Sequence, residues 1–534
     1  MFDAWIYPYP SRRAVVFARR GMVAASHPLA AQAGLSMIQA GGNAIDAAVA
    51  TAACLTFMEP GANGIGSDAF ALVWSGGKLH GLNASGPAPG AISIEAVRRA
   101  GHTEMPTHGW TPVNVPGAPA AWAALIERFG KLTLPQVMAP AIQLAEEGHP
   151  VAAGVARGWQ ATAARFASML RGEQYRGWFE TFAPDGTGPN PGDIVRMPFH
   201  ASTLRAIAET GARAFYEGAL AEKIDADAQI HGGYLRMADL EAFKPEWVDP
   251  ISVPYRGYDI CEIPPNGQGI VALMALNILR GFEFSDRERW ETYHRQIEAI
   301  KLGFADGKHY VSDPRAMRVA VSDLLAPAYG DERRKLITDR ALDPAPGQPP
   351  RGGTVYFATA DGEGNMVSYI QSNYMGFGSG IVVRGTGISL QNRGHTFSLD
   401  PGHVNALAPG KKTYHTIIPG FVCKDGAPVG PFGVMGGFMQ PQGHVQVISN
   451  LLDFHMNPQS ALDAPRWQWT EGRQVTLERT IPGHIVERLA RAGHQLRIAT
   501  ESGGFGRGQV IVRLPGGALA GGTEPRTDGQ IAAW

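Results

Sequence analysis

The stretch Gly353-Thr354-Val355-Tyr356-Phe357-Ala358-Thr359-Ala360-Asp361 sets a hydroxyl residue at the head of a β-branched and aromatic run. Ahead of it lies Asp343-Pro-Ala-Pro-Gly-Gln-Pro-Pro-Arg-Gly-Gly353, too rich in proline and glycine for a helix or a ladder and expected to be exposed and flexible. Behind it come Asp361-Gly-Glu-Gly-Asn365 and Met366-Val-Ser-Tyr-Ile-Gln371, so the pattern predicts strand, tight turn, strand. A hydroxyl at that junction suits self-cleavage: Thr354 Oγ attacks the Gly353 carbonyl, and hydrolysis of the ester frees a new N-terminus. The new threonine then carries its own base, because an α-amine titrates at roughly 7.7–8.0 and can take the hydroxyl proton. Gly353 has no Cβ and tolerates the strained backbone that such an attack needs. A Pro/Gly loop before an ordinary strand fits the same residues, and Gly-Thr by itself does not separate the two.

Two other groups have types and spacing that could do chemistry. Gly433-Val-Met-Gly-Gly437 precedes a helix expected over 442–452, and adjacent glycine amides at a helix approach can aim at one point, as an oxyanion requires. A plain strand turn fits it equally well. His294, Glu298 and Lys301 fall at spacings of four and three on a helix, hence on one face. They could be catalytic, but the expectation is a polar stripe facing solvent or another subunit. The glycine-rich loop 59–66 precedes a strand, Asp68 to Trp74, and lacks a GKS/T ending, so it reads as a tight turn and not a phosphate loop. The glycines of 376–380 are followed by no helix, and no GxSxG follows a strand.

The elements that must hold these groups are legible from periodicity. Helices are expected over 28–42 and 44–57, the second apolar nearly all round and so central. Residues 110–310 read as mostly helical, with amphipathic stretches at 119–129, 134–147 and 290–305. Beyond Thr354 the chain turns β-rich, with 417–419 and 420–424 expected as a strand pair. At 534 residues the core can be large, and a formal charge of -1 gives no footprint for nucleic acid or an anionic membrane. Cys54, Cys261 and Cys423 form no CxxC pair, which argues against a disulfide framework or a zinc site and fits a reducing compartment. No leader h-region and no apolar run of about 18 residues is visible, so a cytoplasmic location is expected, with neither cofactor nor metal.

Taken in order, these stretches resemble the γ-glutamyltransferase family of N-terminal-nucleophile hydrolases. The resemblance rests on Gly41-Gly-Asn-Ala-Ile-Asp-Ala-Ala48, Glu59-Pro60 with Gly64-Ile-Gly66, Val115-Pro-Gly117, Phe215-Tyr-Glu-Gly218, Tyr255-Arg-Gly-Tyr258, Pro264-Pro265, Phe304-Ala-Asp306 with Asp313-Pro314, Ala464-Pro-Arg466 and the glycine pair. It implies an α/β, four-layer αββα sandwich made as one proenzyme. The cut between Gly353 and Thr354 would leave subunits 1–353 and 354–534 interleaved in one structural domain, as a heterodimer that could pair further. It also implies Thr354 as nucleophile, Ser372 as the hydroxyl bonded to it, Gly436 and Gly437 as oxyanion donors, and Asn392 near the substrate.

Where the sequence departs from the family, the departures concern the substrate. Ser85 stands where the family has the arginine that grips a glutamyl α-carboxylate, and Thr396 stands where it has the aspartate for the α-amine, with no acid expected near. His415 and Thr416 replace two serines, and Tyr374 replaces an asparagine. A zwitterionic head left without either partner loses roughly 3–5 kcal/mol by analogy with broken buried pairs. Arg393, His395 and His415 offer positive or hydrogen-bonding potential instead, and an arginine fork suits a carboxylate. The pattern therefore looks like the oxamate amidohydrolase and cephalosporin acylase branches of the family, and the expected substrate is a small carboxylate-bearing amide, oxamate first. A γ-glutamyl hydrolase or transferase acting on glutathione-like donors is the alternative, and an unprocessed scaffold is the alternative of another class.

Overall fold

The computed structural model describes residues 8–9, 13–344 and 353–534. The expected linker over 345–352 lies outside the described residues. Helix α1 (Ala44–Met58) is buried at every position, as its apolar circumference requires. Asn43 caps it in a reciprocal box with Asp46, which satisfies backbone donors that a buried helix end could not leave open.

Two seven-stranded sheets pack face to face. One runs, in spatial order, Gln530–Ala533, Gly21–Ala25, β2 (Gly353–Asp361), β3 (Met366–Tyr374), β1 (Asp68–Ser75), Lys78–Ala84 and Glu246–Val248. The hairpin β2–β3 is thus its centre, with Val355 opposite Gln371 and a register shift between Gly353 and Val355. Every residue of β3 is buried, so the strand is covered on both faces. The second sheet runs Val16–Ala18, Leu519–Thr523, Arg507–Arg513, β4 (Ala427–Met435), Gly420–Lys424, Tyr258–Glu262 and Ile251–Tyr255. Helix α1 lies on the outer face of the first sheet; Gly269–Leu279 and α3 (Met439–Leu452) lie on that of the second, with α2 (Trp290–Tyr310) packed against them. The αββα sandwich expected from the resemblance is the observed architecture.

Two local expectations are corrected. Residues 417–419 form no strand; only Gly420–Lys424 joins the sheet, pairing with Tyr258–Glu262 and β4. The face of α2 carrying His294, Glu298 and Lys301 is buried rather than solvated, each residue being at most 2% exposed. Its charges are satisfied inside the protein: Lys301 Nζ donates to Glu298 Oε1 at 2.8 Å and to Leu342 O at 3.0 Å. Glu298 Oε2 in turn accepts Leu342 N–H, and His294 Nε2–H donates to Thr338 O. Periodicity gives the face of a helix but not what covers it; here the tail 338–342 and His494 do.

Candidate functional site

Because β2 and β3 are neighbours, the side chains of Thr354 and Ser372 meet: their hydroxyl oxygens lie 3.0 Å apart, both buried. Ser372 Oγ also accepts the Tyr374 N–H at 2.8 Å, which fixes the oxygen against its own strand. Thr354 opens onto a cleft of about 1220 Å³ shared with Gly436, Glu59, Trp159 and Gln468. Gly436 and Gly437 follow β4 with φ of +136° and +60°, conformations that favour glycine. A Cβ on Gly436 would also stand 3.2 Å from Gly506 Cα. Helix α3 begins two residues later, so its positive end faces the same corner.

Behind the hydroxyl pair lies a buried polar group built from four elements. Ser372 is paired in register with Asp68, the first residue of β1. Asp68 Oδ2 accepts His415 Nε2–H at 2.9 Å and makes a charge contact with Arg393 Nε at 3.5 Å. Arg393 Nη1 donates to Thr416 Oγ1 at 2.6 Å, and its guanidinium stacks 4.4 Å over the Tyr374 ring. Asp68, Arg393 and His415 are 0% exposed. Arg393 Nε and Nη2 and the Tyr374 hydroxyl have no hydrogen-bond partner among the described residues. Burial pulls the Arg393 guanidinium down to about 10 against the opposing pull of Asp68, so it is charged at neutral pH. Burial, and next the Arg393 charge, push the His415 imidazole down to about 4, so that ring is neutral.

The expected site residues thus divide. Thr354, Ser372 and Tyr374 are brought together with Arg393, His415 and Thr416. Ser85 is not: its hydroxyl donates to Asn83 Oδ1 at 2.7 Å, in a buried knot with Asn266. Asn392 spends its side chain on Met375 N–H and Thr107 O, and so braces the backbone. His395 meets Met105 O through Nδ1. Thr396 Oγ1 bonds Arg393 O and Thr413. The expectation that no acid lies near is wrong: Asp68 reaches Arg393 and His415 from a strand more than three hundred residues earlier in the chain. Gln268 was missed as well. Its amide donates to Thr416 O at 2.6 Å and Gly437 O at 2.9 Å, tying the arginine's partner to the glycine pair.

The same chemistry offers one further cluster, His294, Glu298 and His494, whose ligand-type atoms lie within 4.8 Å of one another. Lys301 already neutralises Glu298, and His294 spends Nε2–H on Thr338 O, so the residues present act as a clasp on the 338–342 segment.

The profile of the gamma-glutamyltranspeptidase family matches residues 30–534. The glutathione hydrolase-like YwrD proenzyme of Bacillus subtilis is 36% identical over 96% of this chain and 98% of its own. The oxamate amidohydrolase proenzyme of Klebsiella pneumoniae is 34% identical over the same shares, 96% and 98%. The crystal structure of cephalosporin acylase from Bacillus halodurans superposes with a TM-score of 0.96 at 60% identity, covering 100% of this chain and 99% of that one. Among the described residues no helix is long and apolar enough to cross a membrane. With a hydroxyl pair at the head of the central hairpin and relatives made as proenzymes, this chain belongs to the gamma-glutamyltranspeptidase family of N-terminal-nucleophile hydrolases.

Proposed function

We propose that this enzyme cuts itself between Gly353 and Thr354 and then hydrolyses amides whose acyl group carries a carboxylate. In the first reaction Thr354 Oγ displaces its own nitrogen from the Gly353 carbonyl, and water cleaves the ester, leaving a Gly353 carboxylate and a free threonine amine. In the second that amine takes the Oγ proton, and Oγ attacks the substrate amide. The tetrahedral oxyanion is held by the Gly436 and Gly437 amides and the positive end of α3. The amine departs with the proton, and water releases the acid from the acyl-enzyme. Ser372 is the hydroxyl that orients Thr354 Oγ.

The observation that carries the substrate class is Arg393: a buried, charged guanidinium beside the nucleophile's hydroxyl partner, with Nη2 unspent and Nε held only by the 3.5 Å charge contact with Asp68. Buried donors go unpaired rarely, and a fork with free edges fits a carboxylate. The size of the cleft bears on the leaving group. A volume of about 1220 Å³ far exceeds what ammonia needs, which favours a larger amine over the ammonia that oxamate releases. The cephalosporin acylase likeness points the same way. A second reading, γ-glutamyl hydrolysis, is favoured by one observation: Asp68 supplies an anion near Arg393, so a zwitterion could find both partners. The test is the intact mass of the purified protein, then release of acid from glutaryl-p-nitroanilide, oxamate, glutamine and glutathione. Fragments meeting at Thr354 with turnover of glutaryl or oxamic amides support the reading. Turnover of glutamine and glutathione alone would transfer it to the γ-glutamyl class.

A further inference from the structure

Arg393 and Asp68 together carry no net charge, and His415 adds none while its ring is neutral. A substrate carboxylate placed on the free edge of Arg393 therefore brings an uncompensated negative charge into a group that is 0% exposed. Buried ions are tolerated when paired, and a group that cannot pair changes its protonation state instead. His415 shares Asp68 Oδ2 with Arg393, its Nε2 lying 2.9 Å from that oxygen, and one proton on its ring restores neutrality.

We infer that Asp68 and His415 form a proton-adjustable counter-charge to Arg393, so that an acyl carboxylate binds together with one proton taken from solvent. This makes the pair specificity-determining: a carboxylate is admitted by protonation, and a neutral acyl group gains nothing from it. The inference rests on the carboxylate reading above. His415, held down to about 4, is proton-free at neutral pH, and a nearby anion raises its affinity for a proton. The groups facing the ring are few. Asp68 on β1 favours protonation; Arg393 opposes it, as does Lys412, whose ammonium is turned to Glu246 at 2.8 Å. The Phe70 ring lies 4.7 Å away and the Tyr374 phenol stays protonated, held above its ordinary value by burial. His415 Nδ1 accepts Ile417 N–H only at 3.4 Å, a long bond that is given up on protonation. Beyond the ring, the Thr354 amine freed by self-cleavage and the buried Glu59 carboxyl, whose affinity for a proton is raised by burial, line the same cleft.

The experiment is titration calorimetry of the self-cleaved enzyme with glutarate and with oxalate at pH 6.5. It is run in phosphate and in imidazole, and the ligands' own ionisation is subtracted. Expected is an uptake rising toward one proton per site, with Kd weakening up to tenfold per pH unit as pH increases. In His415→Asn the uptake and the pH slope vanish. In Asp68→Asn the uptake also vanishes and binding tightens at high pH, because Arg393 is then uncompensated. Binding without uptake overturns the inference while leaving the carboxylate reading intact. Uptake that persists in both variants overturns it too. No binding of either acid sinks the carboxylate reading first, and this inference with it. If His415→Asn fails to fold, the ring nitrogen shifts of ¹⁵N-histidine wild type, with and without glutarate, decide the same question.

Discussion

Two buried clusters in this protein have nearly the same ingredients: a carboxylate, a cation and histidine. Around Glu298 most of the polar groups are spent on the protein, with His494 Nδ1 left without a hydrogen-bond partner among the described residues. Lys301 bridges the carboxylate and Leu342 O, Leu342 N–H closes the other oxygen, and His294 joins His494 at 2.8 Å. Around Asp68 more is kept: Arg393 Nη2 and the Tyr374 hydroxyl have no hydrogen-bond partner among the described residues, and Arg393 Nε has only the 3.5 Å charge contact with Asp68. The first cluster holds the tail that leads toward the proposed cleavage point; the second stands beside Thr354. The difference teaches that a buried charge by itself says little about function. What matters is whether its hydrogen-bonding capacity is spent on the protein or kept for something that arrives later.

The largest effect expected is at Thr354, the proposed nucleophile. Thr354→Ala should remove both reactions, leaving a single 57.1 kDa chain on a denaturing gel and no acid release from any amide. Cleavage persisting in that variant would detach the Asp68 cluster from any catalytic centre.

The comparison itself is tested by one substitution on each side. Arg393→Lys keeps the charge and loses the fork, so KM for glutaryl-p-nitroanilide should rise about ten- to a hundredfold, with a small change in stability. That range corresponds to a charged hydrogen bond of about 1.5–3 kcal/mol. Lys301→Met should do the reverse. It strands the Glu298 carboxylate, costs about 3–5 kcal/mol in urea unfolding of the mature enzyme, and leaves KM alone. A crossed outcome, with Lys301 moving KM or Arg393 moving only stability, would break the distinction between spent and unspent groups.

Ser372→Ala is expected to be milder. One hydroxyl contact at 3.0 Å is worth about 0.5–1.5 kcal/mol, or roughly two- to tenfold in kcat/KM, and Ser372→Thr should restore it. A loss of several orders of magnitude would instead make Ser372 a proton carrier.

How much of this was legible in the sequence follows from the range of each interaction. The hairpin that begins at Thr354 is local, and turn chemistry plus alternation suffice to predict it, whereas Ser372, eighteen positions further on, was placed against Thr354 by the family resemblance. The glycine pair is local too. Asp68 was not found, because its partners come through sheet pairing between β1 and β3 and through loops at 393 and 415. A signal was present: an acid at the head of Asp68-Ala-Phe-Ala-Leu-Val73 must be buried with the strand, and a buried carboxylate needs a partner. The stripe on α2 was misjudged for the complementary reason. Helical spacing put His294, Glu298 and Lys301 on one face correctly, yet charged residues suggested water where the protein had placed its own tail.

His200 marks the boundary of the comparison, because it too is unspent and yet carries no recognition. It is 1% exposed, flanked by Phe57 and Phe182, and neither ring nitrogen has a hydrogen-bond partner among the described residues. Burial, and then neighbouring His149, push its imidazole down to about 3. Unlike Arg393 it holds no charge and faces no catalytic group, so its effect should be on stability alone. The sign follows from linkage. Above the unfolded value of about 6.5 both states are neutral and pH has no leverage. Below it the unfolded chain binds a proton that the folded one refuses, so stability falls by about 1.4 kcal/mol per pH unit until the folded pKa is reached. His200→Phe should flatten the decline in urea midpoint between pH 6.5 and 5.0 by that single-histidine slope, whatever offset the larger ring introduces at pH 7. His27 and His149, both held down to about 4 mainly by burial, keep the rest of the decline as an internal reference. Parallel slopes in wild type and variant would mean that water reaches His200 and restores its ordinary titration. The test of an unspent group would then have to include solvent as a partner, at Arg393 as much as here.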